Sequence, residues 1–115
     1  MSTLTQRKGL KNLGAMNITL SKNGITIRLT DERWQHITTE HAELVQLQLL
    51  VLNTIVDPHR ILAGNAGELL AVRGVEVGKW LVVVYREIAE DGFVITAFLT
   101  RRGRSLEKRS LVWSQ

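Results

Sequence analysis

The stretch Lys79–Arg101, KWLVVVYREIAEDGFVITAFLTR, decides the fold of this chain. It contains two apolar segments, Lys79 to Glu87 and Gly92 to Arg101, and both are rich in the β-branched and aromatic residues that favour strands. Only a short polar link separates them. Because a parallel pair needs a crossover of about a dozen residues or more, this link predicts two antiparallel neighbours.

Two more strands are predicted before this pair, from His59 to Ala63 and from Glu68 to Arg73. Gly64-Asn65-Ala66-Gly67 separates them, and residues 74–78 lead into the strand that starts at Lys79. Because these links are also short, we expect all four strands to form one antiparallel meander. A last segment, Arg109 to Trp113, is predicted to add an edge strand.

Upstream, Asn17 to Ser21 and Ile25 to Leu29 alternate in polarity around Lys22-Asn23-Gly24. Asn-Gly supplies the positive φ angles that a tight turn requires, so these segments predict a short hairpin. Residues 1–15, with Gly9, Gly14 and little periodicity, are predicted to form a flexible basic arm.

Two helices are predicted between the hairpin and the meander. Thr30 is placed to cap the first, whose first turn holds Asp31 and Glu32 near the positive end of the helix dipole. The second runs through the strongly apolar stretch Ala42 to Val56, and Pro58 ends it because proline disfavours helical geometry in the residue before it. A helix this apolar is expected to be largely buried.

These elements predict an α+β fold for residues 16–115 as a single domain: a short N-terminal hairpin, two helices, then a four-stranded antiparallel meander packed on the long helix. In the last meander strand, a period of two places Phe93, Ile95, Ala97 and Leu99 on one side. Val94, Thr96, Phe98 and Thr100 then lie on the other side, which could line a shallow cleft or face solvent.

Composition narrows the function classes. The chain has 115 residues, 44% of them hydrophobic, and no cysteine. Disulfides, thiolate metal sites and a cysteine nucleophile are excluded, which suits a reducing compartment. No apolar run reaches membrane-spanning length, and no signal peptide is apparent, so a cytoplasmic protein without membrane contact is expected. No cofactor-binding motif is found.

The formal net charge of +4 is unevenly distributed. Residues 1–15 carry three positive charges and no negative one, and residues 101–109 carry a net charge of +4, which leaves −3 for the rest. This distribution is compatible with RNA as a partner, with an acidic protein, or with solubility alone.

His36 lies near the end of the first predicted helix and His41 near the start of the second. These two histidines are the best candidates for moving protons near neutral pH. Their spacing of five does not align two ligands on one helix, so zinc and other metal sites are not expected. Each ring could instead be a half-buried group bonded to backbone, and His41 could be a helix cap.

Cations and hydroxyls on the strands could complete a site. Arg73 is the single charged residue at the end of an apolar strand. A guanidinium there can donate two parallel hydrogen bonds to phosphate oxygens. Tyr85 and Thr96 on the next two strands offer hydroxyls that could orient a phosphate, or they could be packing residues. Paired acids, a nucleophile elbow and a magnesium-type acidic cluster are absent from the sequence. Metal-independent acid–base chemistry is then the main catalytic option.

At the level of families, the chain resembles small phage and bacterial domains of the barnase, EndoU, colicin and RelE-like nuclease superfamily. The resemblance covers roughly residues 25–102 and rests on five strings: Trp34-Gln35-His36-Ile37, Glu40-His41-Ala42-Glu43-Leu44, Asp57-Pro58 with Ile61, Leu81-Val82-Val83-Val84, and Ile95-Thr96-Ala97-Phe98. One departure is Ala42, where a proline is expected after the second histidine.

The resemblance implies helices before a four-stranded antiparallel meander, RNA cleavage without a metal, and a toxin restrained by an antitoxin-like protein. Carried over by position, it makes His36 a general base or acid, Arg73 a phosphate clamp and Thr96 an orienting hydroxyl. His41 is a secondary catalytic candidate. The expected substrate contacts are Arg60, Tyr85, Arg101 and Arg102.

Two other functions stay open from the sequence. The chain could be a non-catalytic module of the same fold that holds nucleic acid or a protein through its basic ends. It could also bind a small ligand in a cleft between helix and sheet.

Overall fold

The computed structural model of the protein describes residues 16–115, so the predicted arm at residues 1–15 lies outside the described part of the chain. Between Met16 and Gln115 the chain forms seven strands, three α-helices and one 3₁₀ turn at Ala42–Leu44. The strands are β1 (Met16–Leu20), β2 (Thr26–Thr30), β3 (Arg60–Ala63), β4 (Leu69–Glu76), β5 (Lys79–Ile88), β6 (Asp91–Thr100) and β7 (Leu111–Ser114). The helices are α1 (Asp31–Glu40), α2 (Gln48–Val56) and α3 (Gly103–Glu107).

The strands form one mixed sheet in the order β1-β2-β6-β5-β4-β3-β7. The predicted meander is present, since β3, β4, β5 and β6 pair antiparallel in succession. The sheet has seven strands rather than the four of the predicted meander, and the predicted edge strand at the end of the chain is one of the three added. The hairpin β1-β2 joins β6 through a parallel pair, and β7 adds antiparallel to β3 at the opposite edge. Loop length predicts only pairings between neighbours in sequence, and β2 and β6 are far apart in the chain.

The predicted N-terminal hairpin is confirmed, with Gly24 at φ 79° in its turn. The turn is fastened to β5 because the Ser21 hydroxyl and the Asn23 side-chain amide both donate to the Glu87 carboxylate. Glu87 therefore fixes the hairpin against the meander.

The sheet curls so that its two ends approach each other. The Lys22 ammonium, in the hairpin turn, lies 4.8 Å from the ring centroid of Trp113 on β7, within cation–π distance. Helix α2 packs inside the curl, where the Thr19 hydroxyl of β1 donates to the Leu52 carbonyl of α2.

Helices α1 and α2 cover one face of the sheet, which we call the helix side. The core there is made by Ile37, Leu44, Val51 and Ile55 from the helical region, packed with sheet residues that include Ile27, Leu29, Ala71, Leu81, Val83, Tyr85, Val94 and Ala97. The second helix was expected to run unbroken from Ala42, but it begins at Gln48 after the 3₁₀ turn. The apolar spacing does not mark this break, since Leu44, Val51 and Ile55 would share one face of a straight helix.

The opposite face of the sheet, the α3 side, has its own apolar cluster. Leu106 of α3 packs there on four buried sheet residues, Leu62, Leu70, Val72 and Val82. A Cβ on Gly103 would lie 2.8 Å from the Trp80 ring, so the first residue of α3 also sits tightly on the sheet. The sequence does not predict this helix, because five residues are too few to show a helical period.

A register shift in β6 corrects the predicted face assignment. Val84 pairs with Thr96 and Tyr85 pairs with Val94, so Ile95 is the extra residue of a bulge. Val94 therefore faces the helix side together with Ala97, rather than sharing a face with Thr96. The alternation of residues between the two faces of a strand does not indicate where the strand contains a bulge.

The predicted cap of the first helix is confirmed, because the Thr30 hydroxyl accepts from the Arg33 backbone N–H at 3.0 Å. We expect Thr30→Ala to lower the free energy of unfolding by about 1 kcal/mol, since that N–H loses its partner. Thr39→Ala is the matched control, because the Thr39 hydroxyl only donates to the Gln35 carbonyl within the helix. Equal stability of the two variants in urea titrations would refute the assigned role of the cap.

Candidate functional site

Three side chains with different chemistry line one cavity at the start of α1. Glu32, Arg33 and His36 share a helix face by their spacing, and with Thr30 they line a cavity of about 350 Å³. Thr30 caps the helix there, so the backbone under these side chains is held in place. The cavity thus presents a carboxylate, a guanidinium and an imidazole together.

His36 is accessible. Its side chain is 63% exposed, and its Nε2 lies 3.8 Å from a carboxylate oxygen of Glu40 one helical turn onward. The neighbouring Ile37 faces the core, so His36 is turned to the surface by the geometry of α1. The alternative of a half-buried ring bonded to backbone does not agree with this exposure of His36.

His41 lies at the C-terminal end of α1, where its backbone N–H donates to the Ile37 carbonyl. Its side chain makes no capping hydrogen bond to the 3₁₀ turn that follows. Instead, Nδ1 lies 3.8 Å from a Glu43 carboxylate oxygen, and the ring centroid lies 6.1 Å from that of Phe98 on β6. His41 is therefore next to β6.

The structure does not bring Arg73 and Thr96 together. Arg73 pairs with Leu81, a residue of the helix-side core, whereas Thr96 pairs with Val84, which packs on the α3-side cluster. Directly paired residues share a face of a sheet, so these two side chains point to opposite faces. Their catalytic roles stay predictions.

Arg73 already has partners. Its Nη1 donates to the Asp57 carbonyl at 2.9 Å and lies 3.8 Å from the Asp57 carboxylate, where α2 ends. His59, the histidine that the sequence analysis left aside, lies close by, and its Nδ1 accepts from the Gly74 N–H at 3.1 Å. The signal that could have found this cluster is the proximity of His59 to Asp57-Pro58, at the start of the strand that pairs with β4.

Tyr85 is only 1% exposed and lies in the helix-side core, so its hydroxyl is not offered to a substrate at the surface. Burial, with a smaller contribution from the charge of Glu87, raises the pKa of Tyr85 far above its ordinary value. The strand pattern predicted the position of Tyr85 but not its face.

Because Tyr85 is the single tyrosine of the chain, the ultraviolet absorbance of phenolate reads its titration directly. The raised folded-state pKa means that both states are neutral below about pH 10, and that stability is lost as the pH rises above this value. We expect no phenolate in the folded protein at pH 10, and a weaker alkaline loss of stability in Tyr85→Phe. Titration of the folded protein near pH 10 would contradict the burial argument.

The remaining predicted substrate contacts lie elsewhere on the sheet. Arg60 of β3 pairs with Val72 and so faces the α3 side. Arg101 and Arg102 are exposed just after β6, and Arg101 is bound to Glu76 at 3.0 Å. These arginines are separate from the α1 cavity.

Arg33 is not among the residues predicted for the site, and Glu32 is predicted only as a favourable charge near the helix start. The signal was present in their spacing, since Glu32 and His36 are four residues apart and Arg33 and His36 are three apart.

Within residues 16–115 no group of three or more acidic or histidine side chains is arranged to hold a metal ion. The same residues include no helix long and apolar enough to cross a membrane.

Comparison of the chain with models of protein families, with curated proteins and with solved structures gave no match.

Proposed function

We propose that this chain is a metal-independent ribonuclease of the barnase, EndoU, colicin and RelE-like type, with its acid–base groups on α1. The observation that carries the proposal is the α1 cavity, where Glu32, Arg33 and His36 supply the three kinds of group that the reaction needs. The resemblance at Trp34-Gln35-His36-Ile37 supports the same helix.

The chemistry needs two proton transfers and one cation. Glu32, as a carboxylate, takes the proton of the ribose 2′-hydroxyl, and the oxygen attacks the adjacent phosphorus. His36 in its protonated form gives a proton to the leaving 5′-oxygen. Arg33 holds the negative charge that builds on the phosphate oxygens. The products are a 2′,3′-cyclic phosphate and a 5′-hydroxyl.

His41 is the second histidine in this proposal. Its contact with Phe98 places it where α1 meets β6, so it serves as a neighbouring contact for the substrate rather than as a member of the cavity. Arg73 and Thr96 are not needed for the reaction as written, and their contributions are tested separately by alanine variants.

Digestion of several labelled RNAs in excess chelator tests this function. We expect cleavage of RNA and no cleavage of DNA of the same sequence, because DNA lacks the attacking 2′-hydroxyl. Cleavage that stops on adding chelator would contradict the proposed mechanism, as would equal cleavage of DNA.

A second candidate function is a non-catalytic nucleic-acid binding module. The specific observation that favours it is the cluster of exposed cations in residues 101–109, which lies apart from the α1 cavity. Salt-dependent binding of RNA by a wild-type protein that cleaves none of the RNAs tested would select this candidate.

A further inference from the structure

The segment from Arg101 to Arg109 crosses the α3 side of the sheet, from the end of β6 to the start of β7 at the far edge. Its backbone is fixed at two points. Leu106 is 4% exposed in the apolar cluster, and Gly103 lies against the Trp80 ring. The cations of this segment are therefore carried on a rigid support rather than on a loose loop.

Among residues 16–115, two of the five cations have side-chain partners and three have none. Arg101 is paired with Glu76, and Arg109 donates to the Ala63 carbonyl and the Asn65 side chain. The exposed Arg102, Arg104 and Lys108 side chains have no carboxylate oxygen within 4.0 Å among residues 16–115.

The segment that carries the free cations follows β6, the strand that the C-terminal end of α1 contacts. His41, at the end of α1, contacts Phe98, and Arg102 follows Phe98 by four residues along the chain. From β6 the segment crosses β5 and β4 to reach β3, which is about 15 Å at the usual spacing of strands. A row of this length spans several phosphates of one nucleic-acid strand.

We propose that Arg102, Arg104 and Lys108 form a backbone-binding surface for single-stranded RNA, which crosses the α3 side of the sheet. The choice of RNA rests on the proposed function. The surface itself rests on the free cations and their rigid support.

The exposed side chains of the segment favour RNA over an acidic protein. They are cationic or small and polar apart from Glu107, and Leu106 faces inward. The centre of a protein interface is depleted of charge and enriched in aromatic residues, which residues 101–109 do not provide. Guanidinium groups also match phosphate oxygens in a forked geometry.

The test measures binding to a 2′-O-methyl RNA oligonucleotide, which has no free 2′-hydroxyl and cannot be cleaved, over a range of salt concentrations. The variant carries Arg102→Ala, Arg104→Ala and Lys108→Ala. The matched control carries Lys22→Gln, Arg28→Gln and Arg86→Gln, which removes the same charge. Arg28 and Arg86 pair with Phe93 near the start of β6, and Lys22 lies in the hairpin turn against Trp113. Circular dichroism checks that both proteins are folded.

We expect the α3 variant to bind at least about tenfold more weakly, with the slope of log affinity against log salt reduced by about 2, while the control keeps most of both. Equal losses in the two variants would overturn the proposal, because only net charge would then matter. Absence of wild-type binding at low salt would overturn it too and favour an acidic protein. If the binding results are as expected but the wild-type protein cleaves no RNA, the nuclease proposal is wrong and the proposed binding surface stands.

Discussion

Replacing His36 by alanine is expected to lower the rate of RNA cleavage by about 100-fold or more, which is the usual contribution of one general acid. The loss should appear in kcat, because His36 acts on the leaving oxygen in the transition state and does not hold the substrate. His36 is on the surface and its side chain contributes no core packing, so the variant should fold normally. Single-turnover cleavage in excess chelator measures the effect.

His59→Asn is the matched control for this variant. It also removes one imidazole, but the asparagine side chain can still accept the hydrogen bond that His59 takes from the Gly74 N–H. We expect cleavage close to the wild-type rate. If the two variants lose activity equally, the acid–base role of α1 is wrong.

Gly92→Ala should destabilise the fold by about 3 kcal/mol, at the upper end of the usual cost of forcing atoms into a packed site. Gly92 lies on β6 where this strand has a neighbour on each side. It pairs with Glu87 on β5 and with Ile27 on β2. A Cβ there would lie 2.2 Å from the Arg86 carbonyl oxygen and 2.8 Å from the Ile27 side chain. The carbonyl belongs to the backbone of a central strand and cannot move without disturbing the ladder.

Gly24→Ala provides the comparison for Gly92→Ala. Gly24 has φ 79°, so alanine is strained there by about 1 kcal/mol, but a Cβ at this position meets no atom within 4 Å. Denaturant unfolding of both variants measures the difference. A Gly92→Ala protein as stable as Gly24→Ala would contradict the close packing of Gly92 against the Arg86 carbonyl and the Ile27 side chain.

The features that the sequence predicts correctly have local determinants. The turn at Asn23-Gly24, the cap at Thr30 and the short links between β3, β4, β5 and β6 each depend on a few adjacent residues. Turn chemistry, capping and loop length therefore predicted the hairpin, the start of α1 and the antiparallel meander.

The features that sequence reasoning missed depend on contacts between distant segments. The parallel pair of β2 and β6 forms in the folded sheet without any local signal, and α3 is too short to show a period. The bulge at Ile95 moves Val94 to the helix side, which strict alternation cannot represent.

The candidate site also combines a feature that local sequence predicts with one that depends on contacts between distant segments. The exposure of His36 follows from the helical period of α1, since Ile37 next to it faces the core. The separation of Arg73 from Thr96 could not be derived in the same way, because it depends on how the two strands are registered through β5. Residues on different strands form one site only if the ladder places them on one face.

The most direct test of the account is the identity of the product ends when wild-type protein and His36→Ala act on RNA in excess chelator. The account predicts 2′,3′-cyclic phosphate and 5′-hydroxyl ends from the wild type and almost no product from His36→Ala. Products with 5′-phosphate ends, or wild-type rates from His36→Ala, would contradict metal-independent cleavage at the α1 cavity.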